Sequence, residues 1–149
     1  MKTDKSCGAV LFTIKDGIRH YVLIQAKNRK NIAPPKGHIE NAETETETAL
    51  REIKEEAGVD AEIIDGFRKE INYVIQGGIK KQVVYFLAKY ENQTAHCPPG
   101  EKGKVLLLPI EEALAATPYE NVREVLRDAD LFIRISENHV GNRAENRRL

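Results

Sequence analysis

Apolar and polar positions change rhythm several times along this chain, and each change marks an element. Ser6 to Ile14 is an apolar, β-prone run. Asp16-Gly17 is a hairpin turn signal, and His20 to Ala26 returns as a second strand. Asn28 to Pro35 is a polar loop ending in two prolines, which favour extended backbone and set how Lys36 and Gly37 are presented. From about Thr44 to Ala57 the period becomes helical. Ala49, Leu50, Ile53 and Ala57 form a core stripe, and Gly58 is the stop. Asp60 to Ile75 alternates as a strand, with Gly66 as a bulge.

Gln76-Gly77-Gly78 is a second hairpin turn, and Lys80 to Tyr90 is the strongest strand, apolar enough for a central position. Glu91 to Lys104 is a long loop, and Val105 to Leu108 is a short strand stopped by Pro109. Ile110 to Ala116 and Tyr119 to Ala129 read as helices, with Pro118 at the first-turn position of the second. Leu131 to Ile135 is apolar, and Glu137 to Leu149 is a polar tail expected to fray. Strands, helix, strands, then helices suit an α/β fold, a mixed sheet between helical layers.

Composition narrows the function classes. A chain of 149 residues suggests a single domain, residues 1–149, long enough for a real core. The 23 basic and 23 acidic residues cancel, so no bulk attraction to nucleic acid or membrane is expected. Cys7 lies in a strand-like run and reads as a small core residue, Cys97 sits alone in a loop, and neither has metal-thiolate spacing. The start, MKTDKSCG, has no apolar signal segment, and no run approaches a membrane span. A cytoplasmic setting is the expectation.

Opposite the helical core stripe stand Glu52, Glu55 and Glu56 on one face. A like-charge pair at i,i+4 spacing costs an isolated helix about 0.2–0.5 kcal/mol, and only Arg51 and Lys54 offset it locally. A divalent cation would explain such a face. Mg²⁺ is hard and is typically held by a few carboxylates with water and substrate phosphates. Arg51 is i,i+4 from both Glu47 and Glu55 and can pair within the helix, while Glu43 caps the helix start or braces the loop before it.

The same stretch fits Gly-x5-Glu-x7-Arg-Glu-(Leu/Ile/Val)-x-Glu-Glu-x-Gly-(Leu/Ile/Val) at every fixed position: Gly37, Glu43, Arg51, Glu52, Ile53, Glu55, Glu56, Gly58 and Val59. On these residues the chain resembles the Nudix hydrolases. The resemblance implies their α/β/α sandwich with a mixed sheet. It also implies Mg²⁺ (or Mn²⁺) held by Glu52, Glu55, Glu56 and the Gly37 carbonyl, with Arg51 orienting the glutamates. A further glutamate from a downstream loop often serves that family as metal ligand or general base, and Glu101 matches it here.

The stretches SCGAVLF (from Ser6), PPKGHIE (from Pro34), FRKEINYVI (from Phe67) and KKQVVYFLAKY (from Lys80) look like the asymmetric diadenosine tetraphosphate hydrolases within that family. That likeness implies phosphate contacts from Lys36 and one of Lys80 or Lys81, and base stacking on Tyr73. A second stacking partner would be Phe132 or Tyr119. The chain departs from the subfamily before the double proline. Lys30-Asn31-Ile32 stands where a histidine and a tryptophan are usual, and Lys30 or Arg29 could replace a phosphate contact.

The expected activity is Mg²⁺-dependent hydrolysis of diadenosine tetraphosphate to ATP and AMP. The alternatives are a Nudix enzyme for an oxidised nucleotide, an RNA 5′ end or an inositol pyrophosphate, and a silent nucleotide-binding module. The expected partner is a small nucleotide, with no membrane and no nucleic acid.

Overall fold

The structure, a computed structural model, describes residues 3–101 and 103–147. Strands β1 (Thr3–Lys15) and β2 (Ile18–Gln25) form a hairpin whose turn places Asp16 and Gly17 both at positive φ, the geometry that matches strand twist. Short strands β3 (Ile32–Ala33) and β4 (Lys36–His38) follow, then helix α1 (Glu45–Ala57), β5 (Glu62–Ile75), β6 (Ile79–Lys89), β7 (Lys104–Leu108), α2 (Ile110–Ala116) and α3 (Glu120–Arg147). The strand order is β3-β2-β1-β6-β5, with β4 also on β1 and β7 also on β2. β6 lies parallel to β1 over ten rungs and antiparallel to β5, the central place its apolar run predicts.

Two cores cover the two faces. On one, Ala49, Ile53 and Ala57 of α1 pack on Cys7, Ala9, Leu11, Val84 and Phe86. On the other, Ala113 of α2 and Val125, Leu126, Ala129 and Ile133 of α3 pack on Val10, Phe12, Tyr21, Val83, Tyr85 and Leu87. Each large apolar side chain so buried contributes about 1.5–3 kcal/mol. Leu50 of the expected stripe is only partly buried, and Thr48 is fully buried beside Ala49.

The sheet has a seam. β1 pairs with β2 from Leu11 to Lys15, but with β4 from Ser6 to Gly8. β3 stays on β2 at Ile24 and Gln25. The chain therefore crosses from β2 to β1 at Pro34-Pro35, where a missing N–H costs no ladder bond. The Pro35 carbonyl accepts from Ala9 N at 3.2 Å. Gly8 makes the crossing possible, since a Cβ there would overlap the Pro35 carbonyl and stand 2.6 Å from Lys36 Cβ.

Three sequence expectations change. Asn28 to Pro35 is not all loop, because Ile32 and Ala33 add to β2. α3 does not end near Ala129. It continues through Leu131–Ile135, where Val125, Ala129 and Ile133 keep one stripe on the core, and it stays helical to Arg147, across most of the tail expected to fray. Pro118 precedes the first turn instead of sitting in it, and Tyr119 offers its carbonyl to Arg123 N at 3.0 Å as the cap.

Gly8→Ala should lower stability by about 1–3 kcal/mol, the range of an overpacked core, as read by urea unfolding. Tyr85 offers the opposite test. Its hydroxyl is buried with no hydrogen-bond partner among the described residues, and burial pushes the phenol well above its usual range. Tyr85→Phe should raise stability by roughly 1 kcal/mol in a thermal melt, since an unmade buried hydrogen bond is a net cost.

Candidate active site

Helix α1 starts at a capping box. Thr44 Oγ1 accepts from Glu47 N at 3.2 Å, and Glu47 Oε1 accepts from Thr44 N at 2.9 Å. Thr44, not Glu43, is the cap. Gly58 closes the helix at φ 70, donating its N–H to Lys54 O. Between these ends the acidic face projects toward β4 and the loop that follows it.

Arg51 organises that face. Its Nη1 donates to Glu52 Oε1 at 2.9 Å and to both Glu55 oxygens at 3.2 Å. Nε and Nη2 donate to Glu43 at 2.7 and 3.0 Å, and Nη2 also reaches the His38 carbonyl at 2.8 Å. Glu40 stands 3.8 Å away. Of the two i,i+4 partners expected from sequence, Glu55 is taken and Glu47 serves the cap. Glu43 braces the loop, accepting from Glu40 N and Thr48 Oγ1 as well. The Arg51 guanidinium holds the Glu43 carboxyl down to about 2.

Glu56 lies beyond this compensation, and Glu52 shares in it through Nη1 alone. The Glu52 carboxylate packs on Gly37 so closely that a Cβ there would overlap it. Burial raises Glu52 despite Arg51. Glu56 Oε1 accepts from Lys36 N at 2.9 Å, yet burial pushes its carboxyl up to about 7. Among the described residues no three His, Cys, Asp or Glu side chains stand in ligating arrangement, and Arg51 and the Lys36 amide take up oxygens of Glu52, Glu55 and Glu56. The donor set nonetheless fits a hard cation. It is all oxygen, it includes a half-buried carboxyl whose one hydrogen bond from the protein backbone is the Lys36 amide, and the missing Cβ of Gly37 leaves the Glu52 carboxylate its place.

Glu56 opens into a cleft of about 850 Å³. Ile71, Val83 and Tyr85 line it, with Lys36 and Lys27 on the β2–β4 side and Glu101 from the long loop. Tyr73 of β5 and Tyr119 also line it and are 39% and 49% exposed, high for rings facing a cavity. Two sequence candidates lie elsewhere. Lys80 falls on the other face of β6, with Val84 and Phe86, because strand side chains alternate. Phe132 packs edge-on to Phe67 at 5.7 Å and against Gly66, so it is a core ring, and Tyr119 is the cleft's second exposed aromatic.

Lys81 lies directly across from Tyr73 and is paired with Asp4, which also meets His38 Nε2 at 2.6 Å. Of the loop cations, Lys27 lines the cleft, where Lys30 and Arg29 were the sequence candidates. Lys27 ends the apolar strand by one residue, which no local pattern distinguishes from the basic residues after it.

The raised carboxyl of Glu56 makes a linkage prediction. The folded chain keeps a proton that the unfolded chain loses above its ordinary value of 4.5, so stability falls as pH rises from there through about 7. In chelator, Glu56→Gln removes that loss. Its melting point should match wild type near pH 4 and exceed it at pH 8 by a few degrees, on the order of 1–2 kcal/mol.

Comparison with known proteins agrees with this geometry. Residues 4–129 match the NUDIX domain. Bis(5'-nucleosyl)-tetraphosphatase [asymmetrical] of Sus scrofa is 33% identical over 140 residues, covering 87% of this chain and 95% of the relative. The mouse protein of the same name is 30% identical over the same shares. The C. elegans Ap4A hydrolase in a binary complex superposes with a TM-score of 0.80 at 27% identity, over 88% of this chain and 98% of the other. No helix among the described residues is long and apolar enough to cross a membrane. Taken with the intact box on α1, the match over most of the chain places this protein in the NUDIX hydrolase family.

Proposed function

We propose that this chain hydrolyses a dinucleoside polyphosphate, with diadenosine tetraphosphate going to ATP and AMP and Mg²⁺ (Mn²⁺ as substitute) as the cation. The reading is carried by one juxtaposition: a single cleft lined by the box glutamate Glu56, Glu101, two lysines and two exposed tyrosines. Relatives of nearly full length named asymmetrical tetraphosphatases support the same substrate class.

Glu52, Glu55, Glu56, Glu101 and the Gly37 carbonyl are the residues that would hold the cation. When bound, it supplies charge neutralisation and polarisation of the phosphate chain. Arg51 keeps Glu52 and Glu55 in fixed rotamers, and the Lys36 amide does the same for Glu56. Lys36 and Lys27 meet phosphate oxygens, and Lys81, paired with Asp4, lies across from Tyr73. Tyr73 and Tyr119 receive an adenine face, a contact that contributes about 1–3 kcal/mol per base. Water adds across one phosphoanhydride. A new P–O bond forms, the bridging P–O bond breaks, and a carboxylate of the cluster, Glu101 or a box glutamate, takes the proton. Positioning and charge do most of this work.

Incubation with diadenosine tetraphosphate and Mg²⁺ should give ATP and AMP, and two ADP would exclude the asymmetric cut. Glu55→Gln and Glu56→Gln should each lower turnover by about a hundredfold or more with the fold retained, and near-normal rates in both would remove the metal assignment. Turnover only of an oxidised nucleotide, an RNA 5′ end or an inositol pyrophosphate would move the enzyme elsewhere in the family. No turnover of any of these would mark a binding module.

A further inference from the structure

Asn31 stands in the stretch where this chain departs from the subfamily's pattern, and its side chain makes a long-range contact. Its Oδ1 accepts the Tyr119 hydroxyl at 2.6 Å, joining residues 88 apart in sequence. Both ends are mounted on fixed backbone. The Asn31 carbonyl accepts from Ala26 N at 2.8 Å, and Arg29 N returns to the Ala26 carbonyl at 2.9 Å. Asn28 Oδ1 collects the N–H groups of Lys30 and Asn31 at 2.9 and 3.2 Å. Tyr119 is held by its capping carbonyl on Arg123 N, and Arg123 Nη1 ties the same corner through the Thr117 carbonyl at 2.8 Å.

An exposed tyrosine normally turns freely about two side-chain torsions and loses that freedom on binding. Here a closed loop supplies the acceptor that stops the rotation before a ligand arrives. The same loop carries Lys27 to the cleft wall. One short segment thus brings a cation to the cleft and sets the pose of a ring in it.

We propose that Asn31 is a positioning residue: its amide oxygen pre-sets the Tyr119 ring as one wall of the base-binding end of the cleft, so that a nucleoside base docks on an ordered surface. The proposal rests on the nucleotide reading above, and it concerns the base and not the phosphates.

The test is equilibrium binding of AMP to the wild type, Asn31→Ala, Asn31→Asp, Tyr119→Phe, Tyr119→Ala and the Asn31→Ala/Tyr119→Phe pair, with KM and kcat for diadenosine tetraphosphate alongside. Asn31→Ala and Tyr119→Phe should each weaken AMP binding about three- to tenfold, the worth of one hydrogen bond. The double variant should lose no more than either single one, because both remove the same contact. Asn31→Asp keeps the acceptor and should stay near wild type, and Tyr119→Ala should lose most. The losses should appear in KM more than in kcat.

Wild-type affinity in Asn31→Ala, additive losses in the pair, or no loss in Tyr119→Ala would each overturn the proposal, as would a wild type that binds no AMP. Failure of the hydrolase reading looks different: the wild type would bind AMP with this variant pattern and leave the dinucleotide intact.

Discussion

Everything at this site depends on one guanidinium set among like charges. Glu40, Glu43, Glu52 and Glu55 all point at Arg51, and without a cation between them four carboxylates would not share this volume. Arg51 suits the task because its fork of five donors engages several carboxylates at once. The bond to the His38 carbonyl adds something a simple ion pair would not. It fixes the end of β4 against α1, and so sets Gly37 on the Glu52 carboxylate. Arg51 acts on the chemistry by holding the groups that would perform it.

The helix and the loop that leads into it show how environment separates chemically identical side chains. Glu43, beside Arg51 and two further donors, is held down to about 2. Glu56, half-buried with one backbone N–H, is pushed up to about 7. The helix therefore has a side where negative charge is already balanced and a side, facing the cleft, where it is not. The unbalanced side is where a cation or a proton is favourable, and it is also where the lysines and tyrosines of the cleft gather.

Local patterns were readable, and contacts between distant segments were not. The box helix, both hairpin turns, the Gly66 irregularity and the central place of β6 follow from periodicity and turn chemistry. The register breaks between Ile63 and Arg68, around that glycine. The capping box at Thr44 and Glu47 is also legible as Thr-x-x-Glu, one residue after Glu43. The sequence leaves Phe132 and Tyr119 both open as the second stacking ring, and the continuation of α3 past Ala129 separates them. Continued at helical spacing from Val125 and Ala129, the helix puts positions 132 and 133 at the core. Choosing between Lys80 and Lys81 needed the parity of β6 against Val83 and Tyr85, which only the register supplies. The bond from Asn31 to Tyr119 had no local signal at all.

The seam in the sheet explains how a helix on one face serves a cleft on the other. α1 packs with Cys7, Ala9 and Val84, whereas the cleft is floored by Val83 and Tyr85, which share their face with α2 and α3. An unbroken sheet would separate the two. Here β1 is off β2 before Leu11, and the strand that fills the opening presents the Lys36 amide to Glu56. Two residues without side chains keep the passage narrow: Gly8 lets the Pro35-Lys36 segment lie on β1, and Gly37 lets the Glu52 carboxylate lie on β4. The glycine at the head of the box and the glutamates of its helix are therefore parts of one packing arrangement. Their distance in sequence is the length of chain needed to leave β4, turn at Asn41 and Ala42, and return as α1.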